Sequence, residues 1–148
     1  MARLFTAQGR TATRVRTVEF LGTTPLVERE ARWARYQVFA TRSRQEGVYR
    51  ISYTNGTQRI VLADSQLKGG VNIIEAKEGN MGMMFNPDRE RHIMRQARNY
   101  IDITSTTGGT AQYRVSTALG AARLTDVFGR EFPNEMASGQ LLIEWAPW

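Results

Sequence analysis

The sequence predicts a mixed α/β (α+β) domain, a β-sheet flanked by helices in the order αβββαβαβ. Three observations carry this. The runs 48–53 and 58–62, rich in Val, Ile and Tyr, flank Asn55-Gly56 and read as the two strands of a hairpin. Apolar residues recur at three- and four-residue spacing over 25–39 and again after Asn86, the period of a helix packed along one face. Further on, two short apolar runs at 111–117 and 141–145 are separated by a helix-period segment, the alternation expected when helices cover a mixed sheet.

The elements follow in chain order. Residues 1–24 read as an N-terminal linker or edge strand, with 17–21 strand-like, and the domain proper is placed at 25–148. Thr24-Pro25 has the form of a helix start, with Thr as cap and Pro at the first helical position, so a helix is expected over 25–39. Val27, Ala31, Ala34 and Val38 would line its buried face, and Glu28, Arg29, Glu30, Arg32 and Arg35 a solvated one. The runs 48–53 and 58–62 flank Asn55-Gly56, a dipeptide suited to a type I′ hairpin turn. Gly69-Gly70 is read as a turn, and 71–77 as the third strand. The loop through Met81, Gly82, Met83, Met84 and Phe85 is unusually apolar and is read as a packed loop, with a lid or partner contact as the alternative. Asn86-Pro87-Asp88 opens the second helix with cap, proline and acid in order. Ile93, Ala97, Tyr100 and Ile101 mark its buried face, and Gln96 and Tyr100 lie one turn apart. A strand at 111–117, a helix at 118–129 and a closing strand at 141–145 complete the order.

Bulk properties narrow the chemistry. At 148 residues the chain is one domain with room for a core. A net charge of +6 favours a polyanionic partner, nucleic acid or an acidic protein. With no cysteine there is no disulfide framework, thiolate zinc site or thiol nucleophile. The single histidine, His92, excludes multi-histidine metal sites and is given no role. Any metal would therefore be held by oxygen, which selects a hard cation. No apolar stretch approaches membrane-spanning length, so no membrane partner is expected. There is no G-x-S-x-G elbow, phosphate-binding P-loop or dinucleotide fingerprint.

The candidate site is Asp64 at the end of one apolar run with Glu75-Ala76-Lys77 at the end of the next. Strand side chains alternate faces, so Glu75 and Lys77 point the same way. Two carboxylates and an ammonium on one side of a sheet are costly to leave unpaired. A divalent cation, Mg²⁺ or Mn²⁺, and a phosphodiester would give all three a use. Only Lys68 and Lys77 among the 20 basic residues are lysine, so a compact ammonium beside Glu75 departs from the arginine usage elsewhere.

In this order and these residues the chain resembles the PD-(D/E)xK, or restriction-endonuclease-like, nucleases. It is more closely similar to the type-5 restriction-endonuclease-fold toxin domains of bacterial polymorphic toxins. The matching segments are 34–41, Leu62-Ala63-Asp64, 73–77, 96–100, and the closing strand with Ile143 and Trp145 before Pro147. The family pattern favours glycine after the aspartate, where this chain has Ser65. The resemblance implies a restriction-endonuclease-like core, with Asp64 and Glu75 as ligands of Mg²⁺ (or Mn²⁺) and Lys77 as the catalytic lysine. It implies Gln96 as a supporting residue and leaves Glu28 or Glu30 as a possible first-helix acid. By the same resemblance, the protein is expected to be a metal-dependent endonuclease acting on nucleic acid, DNA ahead of RNA. It would be the C-terminal toxin domain of a secreted antibacterial effector that works in the target-cell cytoplasm. A cognate immunity protein, rich in acidic residues, would neutralise it in the producer. Two alternatives stand beside this: a housekeeping nuclease of DNA repair or restriction with the same site, and a non-catalytic basic nucleic-acid-binding module.

Overall fold

The structure, a computed structural model, describes residues 2–7, 14–79 and 86–148. It is a mixed α+β fold with two four-stranded sheets. Strands β1 (Arg3–Thr6), β2 (Val15–Pro25), β3 (Gln45–Tyr53) and β4 (Gln58–Ala63) form the first sheet in that order, all antiparallel. Strands β5 (Ser65–Leu67), β6 (Asn72–Lys77), β7 (Ala111–Val115) and β8 (Leu141–Trp145) form the second. There β5 is antiparallel to β6, while β6, β7 and β8 run parallel. Parallel neighbours need crossovers. These are α2 (Pro87–Thr107) between β6 and β7, and α3 (Ala118–Glu131) with α4 (Pro133–Ser138) between β7 and β8. Helix α1 (Arg32–Thr41) packs on the other side of β6.

One core serves both sheets. Val18, Phe20, Tyr49, Ile51, Val61 and Ala63 of the first sheet meet Ile93, Ala97, Tyr100 and Ile103 of α2. The same cluster takes in Ile73, Tyr113 and Val115 of the second sheet and Leu124, Val127 and Phe128 of α3. Helix α2 is thus the element against which both sheets close.

Several elements sit where their residue patterns put them. The side chain of Asn86 accepts from the Asp88 N–H, Pro87 occupies the first turn, and Gly108 ends α2 in the left-handed conformation. The closing strand is 141–145. Thr117, expected to be in a strand, is instead the N-cap of α3, its hydroxyl accepting from Gly120 N–H.

Other expectations are corrected. The element order is ββαββββαβααβ, with β1 and β2 ahead of the first helix, a separate β5, and α4. Of the two readings for residues 1–24, linker or edge strand, the strand one fits: β1 is the edge of the first sheet, and β2 pairs with both β1 and β3, so it lies inside the sheet and buries Val15, Val18 and Phe20. Thr24-Pro25 ends that strand, Pro25 pairing with Gln45, and starts no helix. Helix α1 begins at Arg32 after Ala31, without a side-chain cap. Val27, expected on a buried helical face, is 88% exposed. The Asn55-Gly56 turn is also different. Gly56 has φ 89° and Asn55 does not have positive φ, which excludes type I′. Gly56 N–H donates to Tyr53 O and Tyr53 N–H to Thr57 O, the pattern of a three-residue loop with a glycine bulge. The apolar loop of Met81 and Phe85 lies outside the described residues.

Candidate active site

Asp64 is the single residue between β4 and β5, where the chain leaves one sheet and enters the other. Its position follows from the strand ladder. Ser65 pairs with Ile74, and beyond that point β6 has no β5 neighbour. Ile73 N–H donates to Thr110 on the β7 side, so by alternation the Ala76 N–H points to the vacated edge. Asp64 Oδ2 accepts that N–H at 2.8 Å and completes the ladder with a side chain. Ser65 is buried and starts β5 without positive φ, so glycine is not needed there.

Glu75 and Lys77 share the face of β6 that looks toward α2. Lys77 Nζ lies 3.0 Å from Glu75 Oε2, with the two side chains 15% and 6% exposed. Gln96 Nε2 donates to the same oxygen at 3.0 Å, and Tyr100 OH donates to Oε1 at 2.6 Å. Tyr113 OH in turn donates to Gln96 Oε1 at 3.3 Å, which fixes the amide's orientation. Tyr100 OH also lies 3.2 Å from the Leu62 carbonyl oxygen, tying β4 to the site. Gln96 and Tyr100 therefore form a helical pair, one turn apart, that holds a carboxylate buried at the sheet.

Asp64 and Glu75 are neighbours. Burial drives the Asp64 carboxyl well above the usual carboxylate range, and the Glu75 charge drives it further; the Ala76 N–H and Lys77 oppose this. Two acids so close need a proton or a cation between them. Among the described residues, no three His, Cys, Asp or Glu side chains are grouped to hold a metal. The carboxylates that could hold a cation are Asp64 and Glu75, and Mg²⁺ is an ion that needs only one or two carboxylates, with water and substrate phosphate completing its shell.

The site residues named from sequence, Asp64, Glu75, Lys77 and Gln96, are thus brought together. Glu28 and Glu30 are not part of the cluster. Glu28 Oε2 accepts the backbone N–H groups of Arg29, Glu30 and Ala31 at 2.8, 2.7 and 3.1 Å, and these bonds hold its carboxyl below its ordinary range. That carboxylate shapes the turn into α1.

Two neighbours were not assigned from sequence. Gln37 of α1 is 3% exposed and its Nε2 donates to Asp64 O at 3.4 Å. Glu46 stands at the rim. Continuing the Gly47↔Ala63 register by one residue sets it opposite Asp64. Burial raises its carboxyl, a hydrogen bond from Gln37 opposes this, and the charge of Glu75 adds to it. The signal for Glu46 is the strand register, which no local pattern supplies. Compared with protein-family models, curated proteins and solved structures, the chain matched none.

Proposed function

We propose that this protein is a metal-dependent endonuclease that hydrolyses phosphodiesters at Asp64, Glu75 and Lys77. The observation that carries the reading is the convergence of two adjacent carboxylates, Glu75 buried and Asp64 half-buried, with an ammonium 3.0 Å from one of them. A surface ion pair does not need a tyrosine, a glutamine and a broken strand ladder to hold it.

Asp64 and Glu75 would hold the cation. When bound, Mg²⁺ or Mn²⁺ supplies Lewis acidity toward the phosphate and lowers the pKa of bound water. The rest is done by this chain's own groups. Tyr100 and Gln96 fix the Glu75 carboxylate so that little reorganisation accompanies the reaction. Lys77 has N–H groups beyond the one on Glu75, with which it orients a water toward phosphorus and offsets charge gathering on the phosphoryl oxygens. The water oxygen bonds to phosphorus as the phosphorus–sugar oxygen bond breaks. The leaving oxygen ends protonated, and the water's proton passes to solvent.

The resemblance to polymorphic-toxin nucleases extends this proposal to biology. The domain would act on the DNA of a neighbouring bacterium after delivery and would be silenced in the producer by an acidic immunity protein covering the site. The net charge of +6 supports both partners, through attraction to polyanions and faster charge-steered association. Among the described residues, no helix is long and apolar enough to cross a membrane.

The test is incubation of plasmid DNA and total RNA with purified protein, in Mg²⁺ or chelator, beside Lys77→Ala. Cleavage only with metal, and lost in Lys77→Ala, is the expected result. Inactivity of the folded wild type on both substrates with Mg²⁺ and with Mn²⁺ would refute the reading.

A further inference from the structure

A groove of ≈350 Å³ runs between β4 and α2, lined among others by Arg59, Leu62, His92, Arg95, Gln96 and Asn99. We propose that it seats one sugar–phosphate strand of the nucleic acid and leads it to the Glu75–Lys77 site, an inference that rests on the nuclease reading.

Gln96 joins the groove to the site: it lines the groove, and its Nε2 is bonded to Glu75. The helical wall is a stripe. His92, Arg95, Gln96 and Asn99 stand at i, i+3, i+4 and i+7, one face of α2. The opposite wall is β4, whose Leu62 carbonyl lies beside Tyr100 OH, itself bonded to Glu75. Both walls thus end at the same carboxylate.

The lining has the chemistry of a nucleic-acid backbone site. Arg59 is held in place by Asn99 Oδ1 at 2.6 Å and by the Tyr53 ring at 5.7 Å, with guanidinium N–H groups still to give. Arg95 is exposed and makes no ion pair among the described residues. Two further arginines of α2 are engaged, Arg91 with Asp88 and Arg98 over the Phe132 ring, while Arg89 stands in the first turn, away from the groove. Ile60, Val61 and Leu62 complete the β4 side of the lining. No acidic residue lines this groove. Its β4 wall from Arg59 to Leu62 spans about 10 Å at strand rise.

The experiment measures binding in the Lys77→Ala background with chelator present, so that cleavage plays no part. Fluorescein-labelled single-stranded and duplex oligodeoxynucleotides are titrated over a range of salt. Arg59→Gln with Arg95→Gln is compared with Arg29→Gln, an exposed arginine in the turn before α1. The groove pair is expected to weaken binding about tenfold or more at low salt, and to flatten the salt slope by about 1.4 on the single strand and about 1.8 on the duplex. Arg29→Gln should leave both unchanged. Asn99→Ala, which frees Arg59 without removing charge, should give a smaller loss. Equal affinity and slope for the groove pair and the parent on both probes would overturn the proposal, as would the absence of salt-dependent binding by the parent. Wild-type cleavage with unchanged groove-variant binding would reject the groove alone. Lost binding in a protein that never cleaves would keep the groove and reject the catalytic reading.

Discussion

At the scale of residues, the site gives up stability for function. Asp64 sits half-buried beside Glu75, and its carboxyl is raised by desolvation and by that neighbour. A carboxyl whose folded pKa exceeds its unfolded value near 3.9 binds its proton more tightly when folded. Its contribution is therefore favourable at low pH and is lost as pH rises from about 4 through the raised folded value. Asp64→Asn keeps an oxygen for the Ala76 N–H and removes the charge. Thermal melts of the metal-free protein at neutral pH should show it more stable than wild type, by about 2–4 °C per kcal/mol relieved. It should also lose any stabilisation by Mg²⁺. A lower melting temperature for Asp64→Asn would contradict this account of the pair. Tyr100→Phe keeps the buried ring and removes one hydrogen bond to a charged oxygen, worth about 1.5–3 kcal/mol. Cleavage at fixed Mg²⁺ should fall roughly tenfold to a hundredfold, and wild-type rates would show that Tyr100 only packs. That Asp64, Glu75 and Lys77 come together was legible from strand period and local order, while Gln96 was singled out through the family resemblance and its place one turn before Tyr100. Glu46 was not, since its place opposite Asp64 depends on how β3 and β4 pair.

At the scale of elements, legibility followed the strength of local signals. Helix α2 carries Asn86, Pro87 and Asp88 at one end and Gly108 at the other, and so announces both ends. Asn86→Ala should cost about 1 kcal/mol, readable as a lower urea midpoint with unchanged slope. Helix α1 has no side-chain cap and no acid in its first turn, while Thr24-Pro25 serves as the end of β2. The same dipeptide suits a strand end and a helix start, and only pairing with Gln45 decides. Strand β5 has three residues and α4 six, too short for a period to develop. The turn from α2 into β7 is sterically tight. A Cβ on Gly109 would lie 1.8 Å from the Val71 carbonyl oxygen, and Asn72 Oδ1 is also close. Gly109→Ala must push β7 off β6 and should cost about 2–3 kcal/mol by chemical denaturation. An unchanged midpoint would mean the crossover tolerates the shift.

At the scale of the whole molecule, two sheets meet at one residue and share one core through α2. That arrangement makes the N-terminal strands part of the fold. Val15, Val18 and Phe20 lie in the common cluster, and Phe20 stacks at 5.3 Å with Tyr49, whose hydroxyl donates to Gly70 O. A fragment of residues 25–148 should therefore lack cooperative unfolding, and a sharp melt of that fragment would show β2 to be dispensable. The sequence indicated a mixed fold, but the division into two sheets was not legible, because the bend at Asp64 carries no glycine or proline. In the proposed reaction Asp64 and Glu75 hold a cation while Lys77 acts on water and phosphate. Cleavage rate and Mg²⁺ binding, followed together by titrating Mg²⁺ into wild type, Glu75→Gln and Lys77→Ala with a labelled DNA duplex, test it most directly. Glu75→Gln should lose both binding and cleavage, whereas Lys77→Ala should bind Mg²⁺ like wild type and not cleave. Wild-type cleavage by Lys77→Ala, or Mg²⁺ binding undiminished in Glu75→Gln, would contradict it.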